Sequence, residues 1–332
     1  RLTFGADVDA EQLGTLTLRG WNGVMKEDKI TPKVAADRST ERLPSWQHLP
    51  THDWGASLQW ARTGILGLQT LLAGADVRKI SGNVEEADYD ATGAVSANIQ
   101  SGGSQLLSGA FVQGIIAPID PLRIEIGGRY DHWGNDDGFA VDGTGTTSYP
   151  DATRSHFSPR VGATYQVLPG LSLRAAAYDA FRAPNLSELY RKFVSGANQN
   201  LPNPELTPET GKGQEVGFDL QPVGWAQLRG TYYSAVYSDL NTFVTIAPGQ
   251  RKRQNVQRSR STGGEAYLAL RPIDGLLLSG SVNYDHDVIV ADAITPANVG
   301  HYIGRVPQQR QVIRASYGTP ALGSIDPRES MH

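Results

Sequence analysis

The sequence predicts an all-β protein, an antiparallel up-and-down transmembrane β-barrel with long loops at one end and short turns at the other. Three observations predict it. Apolar and polar residues alternate with period two in one segment after another. Tight turns rich in Gly and Pro recur roughly every 50 residues. Long polar connections lie between those turns, so that all of them emerge at the same end. A chain of this pattern carries about 13 strands.

Taken in order, the first segment, LTFGADVD, sets Leu2, Phe4 and Val8 against Thr3, Asp7 and Asp9. A polar connection at 25–50 and a tight turn at 62–65 (RTGI) follow, then a second connection at 81–103 and the turn PIDPL at 118–122. LRIEIGGRYDHW places Leu122, Ile124, Ile126 and Tyr130 on one face and Arg123, Glu125, Arg129 and Asp131 on the other. A connection at 134–156 and the turn at 168–171 lead to a longer gap at 183–212. After the turn at 222–226, AQLRGTYYSAVYSD opposes Leu228, Tyr232 and Val236 to Gln227, Arg229, Thr231 and Asp239. The turn at 272–276 opens LLLSGSVNYD, with Leu276, Leu278, Val282 and Tyr284 against Ser279, Ser281, Asn283 and Asp285. A last connection spans 290–305, and residues 319–332 do not read as a strand, so an irregular tail is expected there. The barrel domain is accordingly placed at 1–318.

Apolar residues three and four apart, which a helix needs, are missing from these segments. PNLSELYRKF alone suits a short helical turn. A kelch-type propeller repeats at a similar length but divides each unit into four short strands. Two long strands per unit, with every long loop at one end, fit the outer-membrane barrel, whose apolar face meets lipid and whose polar face lines a lumen. Single-chain bacterial barrels have an even number of strands, so an odd set is not expected to close by itself.

Composition agrees. Of 332 residues, 19% are charged and 39% hydrophobic, and the net charge of −4 argues against nucleic acid as a partner. The absence of Cys excludes disulfides, thiolate metal sites and a Cys nucleophile. No apolar run reaches the roughly 18 residues of a membrane helix. The chain opens on Arg1 without a signal peptide and reads as an excerpt of a longer precursor. No G-x-S-x-G elbow, H-E-x-x-H or G-K-[ST] phosphate loop is present, and GTGTTS near 143 lacks the third Gly and the context of a nucleotide site, so no enzymatic activity and no cofactor are expected.

Two boxes bracket the longest gap. FRAPNLSELY at 181–190 and NPELTPE at 203–209, followed by a strand led by Glu215, resemble the TonB-dependent outer-membrane receptors, the siderophore and vitamin receptor family. The strand–turn–strand units from about 104 to 318 carry the same resemblance. It implies a barrel of about 22 strands around an N-terminal plug, and a short box that engages TonB. Plug, TonB box and an aromatic-ended last strand are not in this sequence, so the first few and last several strands are expected to be missing. It implies TonB-dependent import of a bulky, scarce nutrient, with a ferric siderophore first and cobalamin or haem as alternatives. TonB, outer-membrane lipid and lipopolysaccharide are the implied partners. A passive porin-like channel and a soluble propeller-type binding module are the readings from other classes.

The box residues are Phe181, Arg182, Ala183, Pro184, Glu188, Leu189, Tyr190, Asn203, Pro204, Leu206, Pro208 and Glu209. Pro184 lacks an N–H and can end ladder pairing at the rim. Asn203 and Pro204 suit a turn, and Leu206 a small apolar anchor. The first expectation is structural, with Arg182 pinning the loop through Glu188 or Glu209; the second is ligand binding by Arg182, Glu188 and Tyr190. QRKRQNVQRSR at 250–260 holds five cations in eleven residues. Of these, Arg258 and Arg260 share a face, expected to be the lumen, where they could draw in an anionic siderophore; pairing with strand carboxylates such as Glu265, or with lipopolysaccharide phosphates, stands beside that reading.

No metal site is expected. Pro50 prevents His48 and His52 from aligning on a helix. Glu85, Glu86, Asp88 and Asp90, and Asp136 and Asp137, match no calcium loop and read as solvated charges. Residues 185–202 contain no His, where haem receptors of the family carry one, which leaves His48, His132, His156 or His301 as the residues a haem reading would need.

Overall fold

A computed structural model describes residues 1–195, 197–304, 306–319, 323–325 and 328–331. The chain is a meander of long antiparallel strands: β1 (Leu2–Asp9), β2 (Thr15–Val34), β3 (Glu41–Ile65), β4 (Leu68–Tyr89), β5 (Val95–Ile119) and β6 (Leu122–Asp142). A short β7 (Gly145–Ser148) folds back on β6, and β8 (Ala152–Leu168) and β9 (Leu171–Arg182) continue the sheet. The helix α1 (Leu186–Tyr190) and the short β10 (Phe193–Ser195) and β11 (Asn198–Leu201) occupy the gap before β12 (Glu209–Val223). The sheet then runs through β13 (Ala226–Ala247), β14 (Gln250–Leu270), β15 (Leu276–Asp292) and β16 (Gln309–Thr319). Among the described residues, thirteen strands have eight residues or more, and each pairs antiparallel with the next.

Two further strands, β17 (Gly323–Ile325) and β18 (Arg328–Met331), pair antiparallel with β16. The described part of 319–332 is therefore strand, not the irregular tail expected from its sequence. Its alternation is weak, but β16 offers a free row of backbone donors and acceptors that a neighbouring segment can satisfy. Among the described residues no ladder joins β1 to the far edge, so the sheet is not closed.

The two faces are those the alternation predicts. Ile126 and Tyr232 are 57% and 58% exposed, and Phe4, Tyr130, Val282 and Tyr284 are exposed on the same outer face. Tyr130 lies opposite Phe157, and Gly264 separates Tyr232 from Tyr284, which gathers aromatic rings in rows on this outer face. On the other face, cross-strand ion pairs tie the wall together. Arg129 reaches Asp76 and Asp131, both at 2.7 Å; Arg160 reaches Glu125 at 2.6 Å; Arg174 reaches Asp219 at 3.2 Å.

The long polar connections turn out to be mostly strand. β2 and β3 run on to a six-residue link between Val34 and Glu41, and β4 and β5 to a five-residue link between Tyr89 and Val95. A membrane strand needs only about 9–11 residues. Above the bilayer both faces of the sheet meet water, so polar residues occupy both and the alternation fades, while the backbone ladder continues unchanged.

Candidate functional site

The buried apolar core is small and lies at the end of the sheet opposite the tight turns. Trp133, Leu189, Tyr190 and Leu206 form it, with Leu107, Tyr149, Phe181, Ala183 and Leu186 packed around them. The loop between the two boxes is thus folded onto the wall instead of standing free.

Asn185 starts α1 through a capping box. Its side chain accepts from the Glu188 N–H at 2.9 Å, and the Glu188 carboxylate accepts from the Asn185 N–H at 3.0 Å. The next two residues, Leu189 and Tyr190, then point at Trp133 and at the ring of Tyr149, which stacks on Tyr190 at 5.3 Å. Tyr190 seats on glycine: a Cβ at Gly138 would come within 2.6 Å of its ring and one at Gly103 within 3.0 Å. The Pro184 carbonyl accepts from Gln105 Nε2 at 2.7 Å, a buried bond that docks the first box on β5.

The second box is held by β14. Asn203 donates to the Arg253 carbonyl at 2.6 Å and accepts from the Glu205 N–H at 3.2 Å, an Asx-type turn. Asn255 accepts from the Thr207 N–H and donates to the Thr207 carbonyl, both at 2.9 Å. Leu206 is buried, and Pro204 and Pro208 are half-buried beside it.

Arg182 joins the boxes. Its Nε donates to Glu209 at 2.8 Å and its Nη1 to Glu188 at 3.0 Å. Glu209 accepts as well from the Asn241 N–H, and the Arg253 guanidinium, stacked 4.2 Å above the Phe243 ring, lies 4.0 Å from Glu188. The bond to Glu209 drives the Arg182 proton affinity above the ordinary guanidinium value, with burial opposing and Glu188 adding to it. Burial pushes the Glu188 carboxyl up, but Arg182, the Asn185 amide and Arg253 outweigh it, and the group stays below its ordinary value. Further out, Arg191 bonds to Glu86 at 3.0 Å and Lys192 to Asp142 at 2.9 Å. Glu86, expected as a solvated charge, is buried.

Beneath the loop a cleft of about 980 Å³ follows the charged wall of β5, β6, β8 and β9, lined by Gln113, Glu125, Arg129, Arg160, Tyr178 and Phe181 among others. His156 adjoins it, its Nε2 bonded to Asp179 at 2.6 Å and its ring against Phe181 at 5.3 Å. Among the described residues the other histidines are elsewhere: His48 pairs with Asp28, His52 with Asn22, His132 with Ser155 and His286 with Tyr302, and the His301 carbonyl accepts from the Ile289 N–H at 3.0 Å. Among the described residues no group of three His, Cys, Asp or Glu is placed to hold a metal ion.

Arg258 and Arg260 do not join this site. In register Arg260 lies opposite Val236 and Val288, on the outer face that carries Tyr232 and Tyr284, and the expectation that the pair lines the lumen is corrected. The strand's own phase holds the signal, since Arg258 and Arg260 share the even positions of Ala266, Leu268 and Leu270. Sequence reasoning also missed Trp133, Gln105 and the two seating glycines. Only the fold brings these to the boxes.

A thin sheet with an apolar outer face, a charged inner face and a roof of packed loop defines an outer-membrane receptor barrel. The chain belongs to the TonB-dependent receptor family: the family's description, "TonB dependent receptor-like, beta-barrel", matches residues 3–326. Among curated relatives, the iron-regulated outer membrane virulence protein of Vibrio cholerae serotype O1 is 27% identical over 190 residues, 53% of this chain and 26% of that protein. A hemin receptor of Yersinia pestis is 32% identical over 169 residues, 46% of this chain and 24% of its own. These matches span about a quarter of the relatives' length. In structure, the ferric yersiniabactin uptake receptor FyuA of Yersinia pestis superposes with a TM-score of 0.74 at 11% identity, over 98% of this chain and 48% of that one. The Serratia marcescens hemophore receptor HasR, solved with its hemophore HasA and heme, gives 0.72 at 12% identity, over 99% and 57%.

Proposed function

We propose that this chain is the wall and roof of a receptor that takes up iron in an organic chelate across the outer membrane, driven through TonB. The observation that carries the reading is the position of the box-bounded loop. It is packed on Trp133 and locked by Arg182 directly above a cleft whose wall is charged. A ligand arriving from outside meets the loop, then the polar wall, and the apolar outer face plays no part in binding. A ferric siderophore is the leading cargo, because the wall offers Arg129, Arg160 and Arg174, each paired to a carboxylate, as donors that the chelate's oxygens can share.

Haem is the second reading, and one contact favours it. His156 lies against the box residue Phe181, and Asp179 holds one ring nitrogen, the arrangement that orients an imidazole for iron. A relative named as a hemin receptor supports the same reading.

Growth of an iron-starved host on defined iron sources tests both. The receptor carrying this sequence is expected to rescue growth on ferric siderophores or on haemin, and not on neither. His156→Ala is expected to abolish rescue by haemin and spare rescue by siderophores if haem is the cargo. Rescue by neither source would overturn the iron reading altogether.

A further inference from the structure

We propose that Asp285 and Asp287 of β15, with Ser259 and Ser261 of β14, form a calcium site on the inner wall of the barrel. Register brings them together. Gly263 lies opposite Asp285, Ser261 opposite Asp287, and Ser259 stands one pleat beyond, beside Ile289. Tyr233, opposite Gly263, shares this face, while Tyr232 and Tyr284 belong to the outer one. Residues two apart on a strand stand about 7 Å apart on the same side. Both carboxylates and both hydroxyls therefore border one place on the ladder.

One side of that place is built in advance. Gly263 has no side chain, and a Cβ there would stand 2.4 Å from the Tyr233 hydroxyl. The Tyr233 ring crosses β14 through this gap and donates its hydroxyl to Asp285 Oδ1. The bond orients the carboxylate and leaves Oδ2 for a further partner.

The other side is unsatisfied. Asp287 Oδ1 and Ser259 Oγ are shut off from solvent, and neither has a hydrogen-bond partner among the described residues. Ser259 is 1% exposed. Elsewhere on the inner wall Asp76, Asp131, Glu125 and Asp219 each meet an arginine. Among the described residues of this face, the arginine nearest in register is Arg310, opposite Asn283 and two pleats from Asp287. A buried carboxylate oxygen with neither donor nor counter-charge is costly, and a bound cation removes that cost.

The donors choose the ion. Only two carboxylates meet here, in keeping with the absence of any metal-holding group of three His, Cys, Asp or Glu among the described residues. Every donor is oxygen, and water completes the shell. Calcium accepts such a set, taking about six to eight oxygens in loose geometry, whereas magnesium demands a near-ideal octahedron. Bound there, the ion ties β13, β14 and β15 together through Tyr233. This role is independent of which cargo the cleft takes.

The test strips the full-length receptor with a chelator in mild detergent, then titrates it with calcium or magnesium chloride. Bound metal is counted by equilibrium dialysis. Wild type is expected to bind one calcium more than D287N, with a dissociation constant of about 0.1–1 mM at that site. Magnesium is expected to bind there at least about tenfold more weakly. Equal calcium stoichiometry in the two proteins, which would leave only water at the site, or equal affinity for magnesium would overturn the proposal. Thermal unfolding separates a metal ligand from a merely structural carboxylate. Calcium is expected to raise the wild-type midpoint and to leave D287N unmoved. In chelator, D287N should unfold no lower than wild type, because it sheds an unbalanced buried charge; a lower midpoint there counts against the site. Should D287N not fold, wild type decides by hydrogen exchange over 283–289. Protection that rises with calcium supports the site, and protection that stays the same sinks it.

Discussion

Arg182 and Glu209 face each other across the β9–β12 ladder, and their side chains meet at 2.8 Å. The same guanidinium bonds Glu188 at 3.0 Å, so one cation ties the start of the loop, its helix and its end. Both carboxylates are 13% exposed, whereas Arg182 is 49% exposed, which moderates what the cluster contributes. Arg182→Ala leaves two largely buried carboxylates without their partner and is expected to loosen the loop by about 1–3 kcal/mol. Faster hydrogen exchange over 186–206, with the tight-turn ends of the strands unchanged, is the expected result. Arg182→Lys should recover only part of the protection, since an ammonium cannot fork between two acids.

Tyr190 depends on what is missing beneath it. A single methyl group at Gly138 would stand 2.6 Å from its ring. Gly138→Ala is therefore expected to displace α1 and cost about 1–3 kcal/mol, read as lost near-ultraviolet circular dichroism from Tyr190, Tyr149 and Trp133. Gly143→Ala, with nothing within 4 Å of its Cβ, should leave the signal intact.

The outer face can be tested by charge. Ile126→Arg places a guanidinium against lipid and is expected to cost about 2–4 kcal/mol of insertion if the position lies near the midplane. Its neighbour Glu125 pairs with the half-exposed Arg160, so Glu125→Gln should cost no more than about 1 kcal/mol. Urea titration of folding into vesicles separates the two, and equal costs would contradict the assignment of faces.

Acid should release the roof. The Glu188 carboxyl titrates below its ordinary 4.5 in the folded chain, so its contribution is complete above about pH 4.5. As pH falls through the lower folded value, Glu188 gains a proton and that stabilisation is lost. Exchange protection of α1, corrected for intrinsic rates, is expected to be flat from pH 6 to 8 and to fall below pH 4.5. Glu188→Gln should start lower and show little of that fall.

Much of this was legible in the residues. Period two in LRIEIGGRYDHW and LLLSGSVNYD separates Ile126 and Tyr284 from Arg129 and Asp285, and the Gly–Pro turns mark where the strands reverse. That reading works because a pleat puts neighbours on opposite faces whatever the rest of the chain does. It fails where the environment becomes the same on both sides: β2 to β5 outrun their alternation above the bilayer, and the sequence there resembles loop. The boxes announce themselves as motifs, but not what they rest on.

By itself, then, the sequence determined the strand faces, the polarity of the two barrel ends and the local turn of α1, all of which depend on neighbours a few residues apart. Tertiary structure alone decided that Gln105 receives Pro184 across 79 residues, that Glu86 holds Arg191 across 105, and that Trp133 is the seat of the loop. The reason is that strand register, not composition, sets which distant side chains share a face, and register is a property of paired backbones.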